Sequence, residues 1–596
     1  MSQLCLDSAL STVERVTGVA LPCPISVATA PGLRIDYQDN HASVAAEDES
    51  ALCRALFLLT QAVKAGESSL HLTQTRHIAC CGAMLDMSRN GVMTVEAVQR
   101  YLDRMACLGM NMLMLYTEDT YEVPEYPRLG YLRGRYSQAE LRQLDDYAAA
   151  LGIELIPCIQ TLGHMSQFLQ WPENAALCDQ GDVLLADDEA VYRLIEAEIR
   201  AVRACMRTKR IHVGMDEAHG VGLGRYYEKH GATDRFDLLN RHLARVVDIC
   251  LRNGFEPIMW SDMFFRLAST HNEYYDREAI IPQRVIDAIP AVSLCYWDYY
   301  HQDEDFYEHM FTQHERTGRP VVFAGGCWTW AGFLPQVKRT EATMRPALRI
   351  AAAHRVETVM ATLWGDDGEE TDYFLGLPML PMFSEACWQG TAITMDEALR
   401  LGEAVTGLPA GAVRAMGEFF PDETDNREGK SLIWCDALYP LLQRTREQLD
   451  GILARFDLAR QALAAHDLLE CRYAAALMDV ASQKALLLRE LRPRYLAKDR
   501  AYLTQVAEEI IPALLMDYDR LMRLHRALWE RDMKRFGWEV LSLRYGGVTG
   551  RLRDVQDLLR RYLAGEVATI QELDAEPLPG ERYAFFGHLV TPMAEL

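Results

Sequence analysis

The sequence predicts an α/β protein built on a (β/α)8 TIM barrel, with a small N-terminal α/β domain and an α-helical C-terminal domain. Three observations carry this prediction. Between residues 78 and 390 one unit recurs: a short apolar run, a polar turn, then a segment of helical periodicity. Eight such runs occur, each four to eight residues long and flanked by turn formers, as strands buried on both faces of a parallel sheet should be. Polar residues gather just past the ends of these runs, where the βα loops of a barrel converge. An open doubly wound sheet shares the alternation, but eight strands in unbroken succession favour the barrel.

Residues 1–75 make the first domain, with strands expected at 25–29 and 33–37 and a helix at 50–65. The barrel spans 76–395, with strands at 78–85, 111–116, 154–159, 210–215, 257–260, 292–297, 320–324 and 358–364. Its first helix sets Val95, Val98, Leu102, Met105 and Leu108 on one face, at steps of three and four. The second opens on Ser137-Gln138-Ala139-Glu140, a capping box in which each side chain satisfies the other's free backbone N–H. From 396 to 596 strand signals fade, and helical stretches run through 435–465, 468–491 and 497–533. Within that domain, 536–547 interrupts the helical period with glycines and aromatics. It is a candidate for packing over a barrel mouth or for a homodimer contact, against the plainer reading of inter-domain packing.

The 596 residues are 49% hydrophobic and 24% charged, enough to bury real cores in several domains. A net charge of −24 sets aside nucleic acid and anionic membrane surfaces as partners, since both are polyanions. It leaves a neutral or cationic small substrate, and solubility alone also accounts for it. Residues 1–16 hold no basic stretch followed by an apolar run, and no run of about 18 apolar residues offers a membrane span. The fifteen cysteines are scattered, apart from the adjacent Cys80 and Cys81, without zinc spacing or the density of a disulfide scaffold. They read as reduced thiols of a cytoplasmic protein, and neither a metal nor a cofactor is expected.

The strand ends carry the chemistry. In order they present Asp86 and Arg89; Glu118 and Asp119; Gln160 and His164; Asp216 and Glu217; Trp260 and Asp262; Trp297 and Asp298; Trp328 and Trp330; and Trp364, Asp366 and Asp367. Carboxylates among indole rings point to a carbohydrate site, because aromatic faces pack on sugar C–H faces while carboxylates accept hydroxyls. Neighbouring side chains of a strand point oppositely, but a turn at a frayed end can bring Asp216 and Glu217 to one ligand. One carboxylate then stays ionised while the other, beside that charge, is raised and serves as general acid. The competing account makes Asp216 a helix cap and Glu217 a first-turn carboxylate. A metal-dependent hydrolase using His212, Asp216, His219 and His164 is a further competitor, disfavoured because no metal-ligand motif occurs. A sugar-binding protein without activity is another, disfavoured by the intact carboxylate pair.

The stretch His212-Val213-Gly214-Met215-Asp216-Glu217-Ala218-His219 resembles the signature of family 20 glycoside hydrolases, the β-N-acetylhexosaminidases. Matching motifs follow the family's order: Leu85-Asp86-Met87-Ser88-Arg89-Asn90, Asn111 leading to Asp119, Gly163-His164, Trp260, Trp328, and Leu363-Trp364-Gly365-Asp366. The resemblance covers 78–390 and is greatest to a bacterial branch with a helical C-terminal domain, in which the stretch from Thr117 to Glu122 is typical. It implies exo-acting, retaining hydrolysis of terminal β-linked GlcNAc or GalNAc, with the substrate's own acetamido group as nucleophile. On that pattern Glu217 protonates the glycosidic oxygen and Asp216 orients the acetamido N–H. An oxazolinium intermediate forms and is opened by water.

The resemblance further implies a relay of His164 and Asp119 behind the acid, sugar walls from Trp260, Trp328 and Trp364, and Asp366 on O4 or O6. Arg89, Trp297, Asp298 and Trp330 complete the expected substrate contacts. Two positions depart from the family. Cys81 stands where many members carry a hydroxyl-binding arginine, with Arg89 or a residue from elsewhere as the candidate replacement. Thr329 stands where a tyrosine commonly bonds the acetamido carbonyl, with Tyr299, Tyr300 and Trp330 as candidates.

Overall fold

A computed structural model of the protein describes residues 4–424, 428–438, 444–576 and 586. The N-terminal unit is a four-stranded sheet in the order β1-β3-β2-β4: β1 Ile25–Thr29, β2 Leu33–Gln38, β3 His41–Ala46 and β4 Ser69–Gln74. Asp39 and Asn40, both at positive φ, make the tight β2–β3 hairpin turn, as residues tolerant of left-handed backbone do. Helix Glu49–Lys64 packs on this sheet, capped by Asp48. Its fully buried Arg54 pairs with Glu385 at 2.7 Å and ties the unit to the barrel. The strands β3 and β4 and the helix Leu6–Thr17 are additions to the sequence expectation.

The barrel closes as expected, with eight parallel strands. They are β5 Cys80–Asp86, β6 Met112–Tyr116, β7 Glu154–Cys158, β10 Arg210–His212, β11 Glu256–Trp260, β12 Ser293–Asp298, β13 Val321–Gly326 and β14 Thr358–Leu363. A small hairpin, β8 Cys178–Gln180 and β9 Val183–Leu184, decorates the loop after β7. Strand β10 is shorter than expected. Gly214 and Met215 adopt positive φ (69° and 74°), so the backbone leaves the extended region before Asp216. Elsewhere apolar runs give strands and polar residues give caps: Thr94, Asp188 and Asp303 each bond the first turn of a barrel helix, and the Ser137–Glu140 capping box is formed.

Beyond the barrel the chain is helical: Met395–Thr406, Ala410–Gly417, Glu428–Trp434, Arg446–Leu463, Leu469–Leu496, Ile511–Asp532 and Trp538–Ala564. The helix expected from 435 begins only at Arg446, where Thr445 and Gln448 form their own capping box, and 439–443 lie outside the described residues. The segment 536–547 breaks only at Gly537, after which Trp538–Ala564 runs continuously through Gly546 and Gly547. Just before that break the chain meets the barrel: Thr94 N–H donates to Asp532 O at 2.9 Å and Lys534 N–H to Val92 O at 2.7 Å. This is packing against the first βα loop, at the mouth of the barrel.

The barrel's closure has one sharp requirement. A Cβ at Gly82 would lie 1.8 Å from the Met112 carbonyl oxygen, a backbone atom of the neighbouring strand that cannot move aside. Gly82→Ala is expected to lower stability by about 3 kcal/mol or more, in the range of severe overpacking. Thermal unfolding checks this, and a variant as stable as the parent contradicts the close approach.

Candidate active site

A cleft of about 480 Å³ opens at the C-terminal mouth of the barrel. Arg89, His164, Asp216, Glu217, Trp260, Trp297, Tyr299, Tyr300, Trp330, Trp364 and Asp366 line it. Loops after six of the eight strands contribute, with Trp260 at the end of β11 as a seventh source, and the loop after β6 stands just behind.

No helix begins at Asp216. The next one is Arg225–His230, so the capping account of the carboxylate pair fails. The pair instead occupies a left-handed turn, with Glu217 at φ 50°. Asp216 accepts a hydrogen bond from Gln160 Nε2 at 2.8 Å and faces His164 Nε2 at 3.1 Å. His164 is itself at φ 55°, and its backbone N–H donates to Asp182, in the β8–β9 turn, at 3.2 Å. Gly163 before it is required, because a Cβ there would come 2.6 Å from the Asp216 carbonyl oxygen.

Burial disfavours charge on both Asp216 and His164, yet each favours the other's ionised form more strongly. His164, with the Gln160 hydrogen bond, holds Asp216 below the usual carboxylate range. Asp216 drives His164 up to about 10. At neutral pH the two form an imidazolium–carboxylate pair.

Asp262 lies behind them, fully buried, and accepts the Glu217 backbone N–H at 3.0 Å. Burial, and then the charges of Asp216 and Glu217, push its pKa up to about 8. Asp262 is therefore a neutral acid at pH 7. The Glu217 carboxylate lies 3.5 Å from His164 Nε2 and keeps 37% of its side-chain surface open to the cleft. Tyr274, which no sequence motif marks, stands beside the pair, its hydroxyl 3.0 Å from His219 Nε2, and burial and the nearby Glu217 charge raise its pKa.

Across the cleft, Arg89 reaches three carboxylates: Asp86 at 3.1 Å, Glu118 at 3.4 Å and Asp366 at 3.6 Å. Its guanidinium lies over the rings of Tyr116 and Trp364 at 4.8 and 5.2 Å, and Trp364 meets Tyr116 edge to face. Burial raises Asp366 to about 6 against the opposing field of Arg89.

Three expected site residues stand elsewhere. Asp119 turns away and pairs with Arg133 at 2.8 Å, while Glu118 is the carboxylate facing His164 Nδ1, at 3.9 Å. The chain is already in a loop there, since β6 ends at Tyr116, and strand alternation no longer assigns direction. Asp298 is buried and anchors its own loop, accepting from Tyr296 Oη at 2.9 Å and from the backbone N–H groups of Tyr300 and His301. Trp328 is also buried. It stacks on Trp330 at 3.8 Å and donates to Tyr299 O, so it supports the cleft wall from behind.

At the two positions of departure, Cys81 is buried and pairs in register with Val359, five residues before β5 reaches Asp86. Arg89 lies in the cleft. Thr329 is buried and donates to Trp364 O, while Tyr299, Tyr300 and Trp330 all line the cleft. The proposed metal set also disperses. The His212 Nδ1 accepts the Gly214 N–H, and its ring packs 4.3 Å from that of Trp260. Among the described residues no group of three His, Cys, Asp or Glu side chains could hold a metal ion.

A parallel barrel with an ionised Asp, a half-buried Glu and a ring of indoles at its C-terminal mouth has the make-up of a carbohydrate-binding barrel site. Known proteins place it more narrowly. The model of the glycosyl hydrolase family 20 catalytic domain matches residues 80–390, and that of the glycoside hydrolase 20C C-terminal domain matches 420–584. The chain belongs to glycosyl hydrolase family 20.

Human hexosaminidase D is 26% identical over 165 residues, 26% of this chain and 34% of the relative. The β-hexosaminidase of Porphyromonas gingivalis is 29% identical over 215 residues, 30% of this chain and 28% of the relative. The chain thus spans about a third of the length of the curated relatives it matches. Among solved structures, the exo-β-N-acetylglucosaminidase of Vibrio harveyi in complex with N-acetylglucosamine superposes with a TM-score of 0.52 at 17% identity, over 69% of this chain and 72% of that one. The Flavobacterium johnsoniae chitobiase superposes at 0.50 and 15% identity, over 95% and 89%. At such identities the likeness is one of fold.

The neutral state of Asp262 has a measurable consequence. Its carboxyl holds a proton more tightly in the folded protein than in the unfolded chain, where an Asp titrates near 4. The stability this contributes is complete below about pH 4 and is lost as pH rises toward about 8. Asp262→Asn removes that dependence while keeping an acceptor for the Glu217 N–H. The expected result is a smaller fall in Tm from about pH 5 to about pH 8 than in the parent. An unchanged pH slope contradicts a protonated Asp262.

Proposed function

We propose that the protein is an exo-acting, retaining β-N-acetylhexosaminidase that removes terminal β-linked GlcNAc, and GalNAc, through an oxazolinium intermediate. The observation that carries this reading is the unequal pair: Asp216 met at both oxygens, by the His164 imidazole in an ion pair and by the Gln160 amide N–H, beside a Glu217 open to the cleft. An Asp held as an ion by two donors is a poor nucleophile toward carbon but a good acceptor for an amide N–H. That suits substrate assistance, in which the 2-acetamido oxygen attacks the anomeric carbon while Asp216 holds and polarises the acetamido N–H. Family membership and the names of the relatives support the same reaction.

In the first step Glu217 donates its proton to the glycosidic oxygen as the bond to the aglycone breaks. In the second, the Glu217 carboxylate takes a proton from water as that water opens the oxazolinium ring on the face the aglycone left. Orienting an internal nucleophile lowers a barrier by roughly 7–11 kcal/mol in favourable cases, and general acid assistance adds on the order of 10²–10⁴-fold. Arg89 and Asp366 grip the sugar hydroxyls, Trp364 provides the apolar floor, and Trp260, Trp297, Tyr299 and Trp330 enclose the acetamido group. A reducing cytoplasmic setting fits the fifteen unpaired cysteines.

Hydrolysis of an aryl β-N-acetylglucosaminide is the direct test, and an inactive protein sinks the proposal. Asp216→Asn and Glu217→Gln are both expected to cripple the enzyme. For Glu217→Gln the loss is about 10²–10⁴-fold on substrates with poor leaving groups and smaller on nitrophenyl glycosides. Equal losses on both contradict the acid role. A thiazoline analogue of the intermediate is expected to inhibit tightly; weak inhibition contradicts substrate assistance.

A further inference from the structure

The loop after β14 carries two cleft residues, Trp364 and Asp366. It then passes through three consecutive residues at positive φ: Asp367 (61°), Gly368 (107°) and Glu369 (56°). Left-handed backbone is strained at the two non-glycine positions, so surrounding contacts must hold it. Many of those contacts come from the helical domain. Lys430 Nζ lies 2.6 Å from Asp367 Oδ2 and 2.5 Å from Glu370 Oε2, and its side chain is 0% exposed. Arg544 reaches Asp367 Oδ1 at 3.1 Å and Glu370 Oε1 at 2.9 Å, and also donates to the Asp367 carbonyl. The Trp434 indole N–H donates to Glu370 at 2.8 Å, and the Phe586 backbone N–H to Asp367 at 3.0 Å.

Two cations and two carboxylates therefore balance inside a nearly dry interface. A buried ionic network adds little stability over an apolar core of the same shape, but it selects one geometry, because removing one member leaves a charge unpaired. The geometry selected here is that of a loop whose anchored residue, Asp367, directly follows a cleft carboxylate, Asp366.

We propose that Lys430 and Arg544 are positioning residues for the sugar-binding cleft: through Asp367 and Glu370 the helical domain sets the loop that presents Asp366 beside Arg89 and Trp364 to the substrate. This rests on the reading of Asp366 and Trp364 as sugar contacts given above. The helical domain is then part of the specificity apparatus while none of its described residues lines the cleft.

A double-mutant cycle tests it. Arg544→Met, Asp366→Asn and the double variant are assayed on an aryl β-N-acetylglucosaminide and on its 4-deoxy and 6-deoxy analogues, with Tm recorded for each. Arg544→Met is expected to raise KM more than it lowers kcat. Asp366→Asn is expected to cost less in that background than in the parent, by a coupling of about 3- to 100-fold. Arg544→Lys is expected to restore part of the loss. Should Arg544→Met fail to fold, the charge-balanced pair Lys430→Met with Glu370→Gln takes its place in the cycle. Additive effects, or a loss confined to Tm with unchanged KM, overturn the positioning role. An inactive parent protein overturns the underlying functional reading, and this proposal with it.

Discussion

The active site depends on how a buried carboxylate keeps its charge. Asp216 sits in a pocket walled by indoles, where an unpaired anion would take up a proton. His164 and Gln160 prevent this. The remaining electrostatics follow. Burial, and then the charge of Asp216 beside it, raise Asp262 to about 8 and favour its neutral form, bonded to the Glu217 backbone. Glu217 is thereby fixed at its main chain, while its carboxyl, 3.5 Å from His164 Nε2, stays partly open to the cleft. Three neighbouring carboxyl groups thus stand in three different environments set by one ion pair and its dielectric surroundings.

The ion pair in turn depends on backbone turns that ordinary strands do not make. Met215, Glu217 and His164 all adopt left-handed φ, and the loops after β7 and β10 touch at Gly163. Such conformations persist where neighbouring contacts over-determine them. Here Asp182 holds the His164 backbone and Asp262 holds that of Glu217. The same pattern recurs across the cleft, where the loop after β14 is left-handed at Asp367 and Glu369 and is held by Lys430 and Arg544. Strain at the mouth is balanced by rigid partners outside it.

This division explains what was legible in the sequence. The barrel strands were, because burial on both faces leaves continuous apolar runs whose ends also mark the cleft. Asp216, Glu217, His164, Arg89, Trp260, Trp297, Trp330, Trp364 and Asp366 all meet there. Glu118 against Asp119 was not legible, because direction past a strand end is set by loop dihedrals that carry no periodic signal. Asp298 and Trp328 misled for a related reason: a polar or indole residue at a strand end can brace the loop as readily as line the cleft. The clamp on the last loop was hidden by distance. Arg544 falls in the one tail segment whose composition stood out, but its partner Asp367 lies 177 residues away, and no local pattern connects the two.

The charge layout of the cleft also bears on the transition state. Asp86, Glu118, Asp216, Glu217 and Asp366 surround it, against Arg89 and His164 as the cations. Burial works against the charge on Glu118 and Asp366 and raises both. Even so, Asp216 remains an anion at the centre. In the proposed reaction the sugar ring turns from neutral to oxocarbenium-like and then oxazolinium, gaining positive charge where that anion already stands. A field fixed in place before the reaction favours the charged state over the neutral one without reorganising solvent. Arg89 does not cancel this advantage, because its guanidinium is already engaged by Asp86, Glu118 and Asp366. On this account Arg89, three residues past the end of β5, and Asp216 meet two separate requirements: a donor for the sugar's hydroxyls and an anionic centre for its cation.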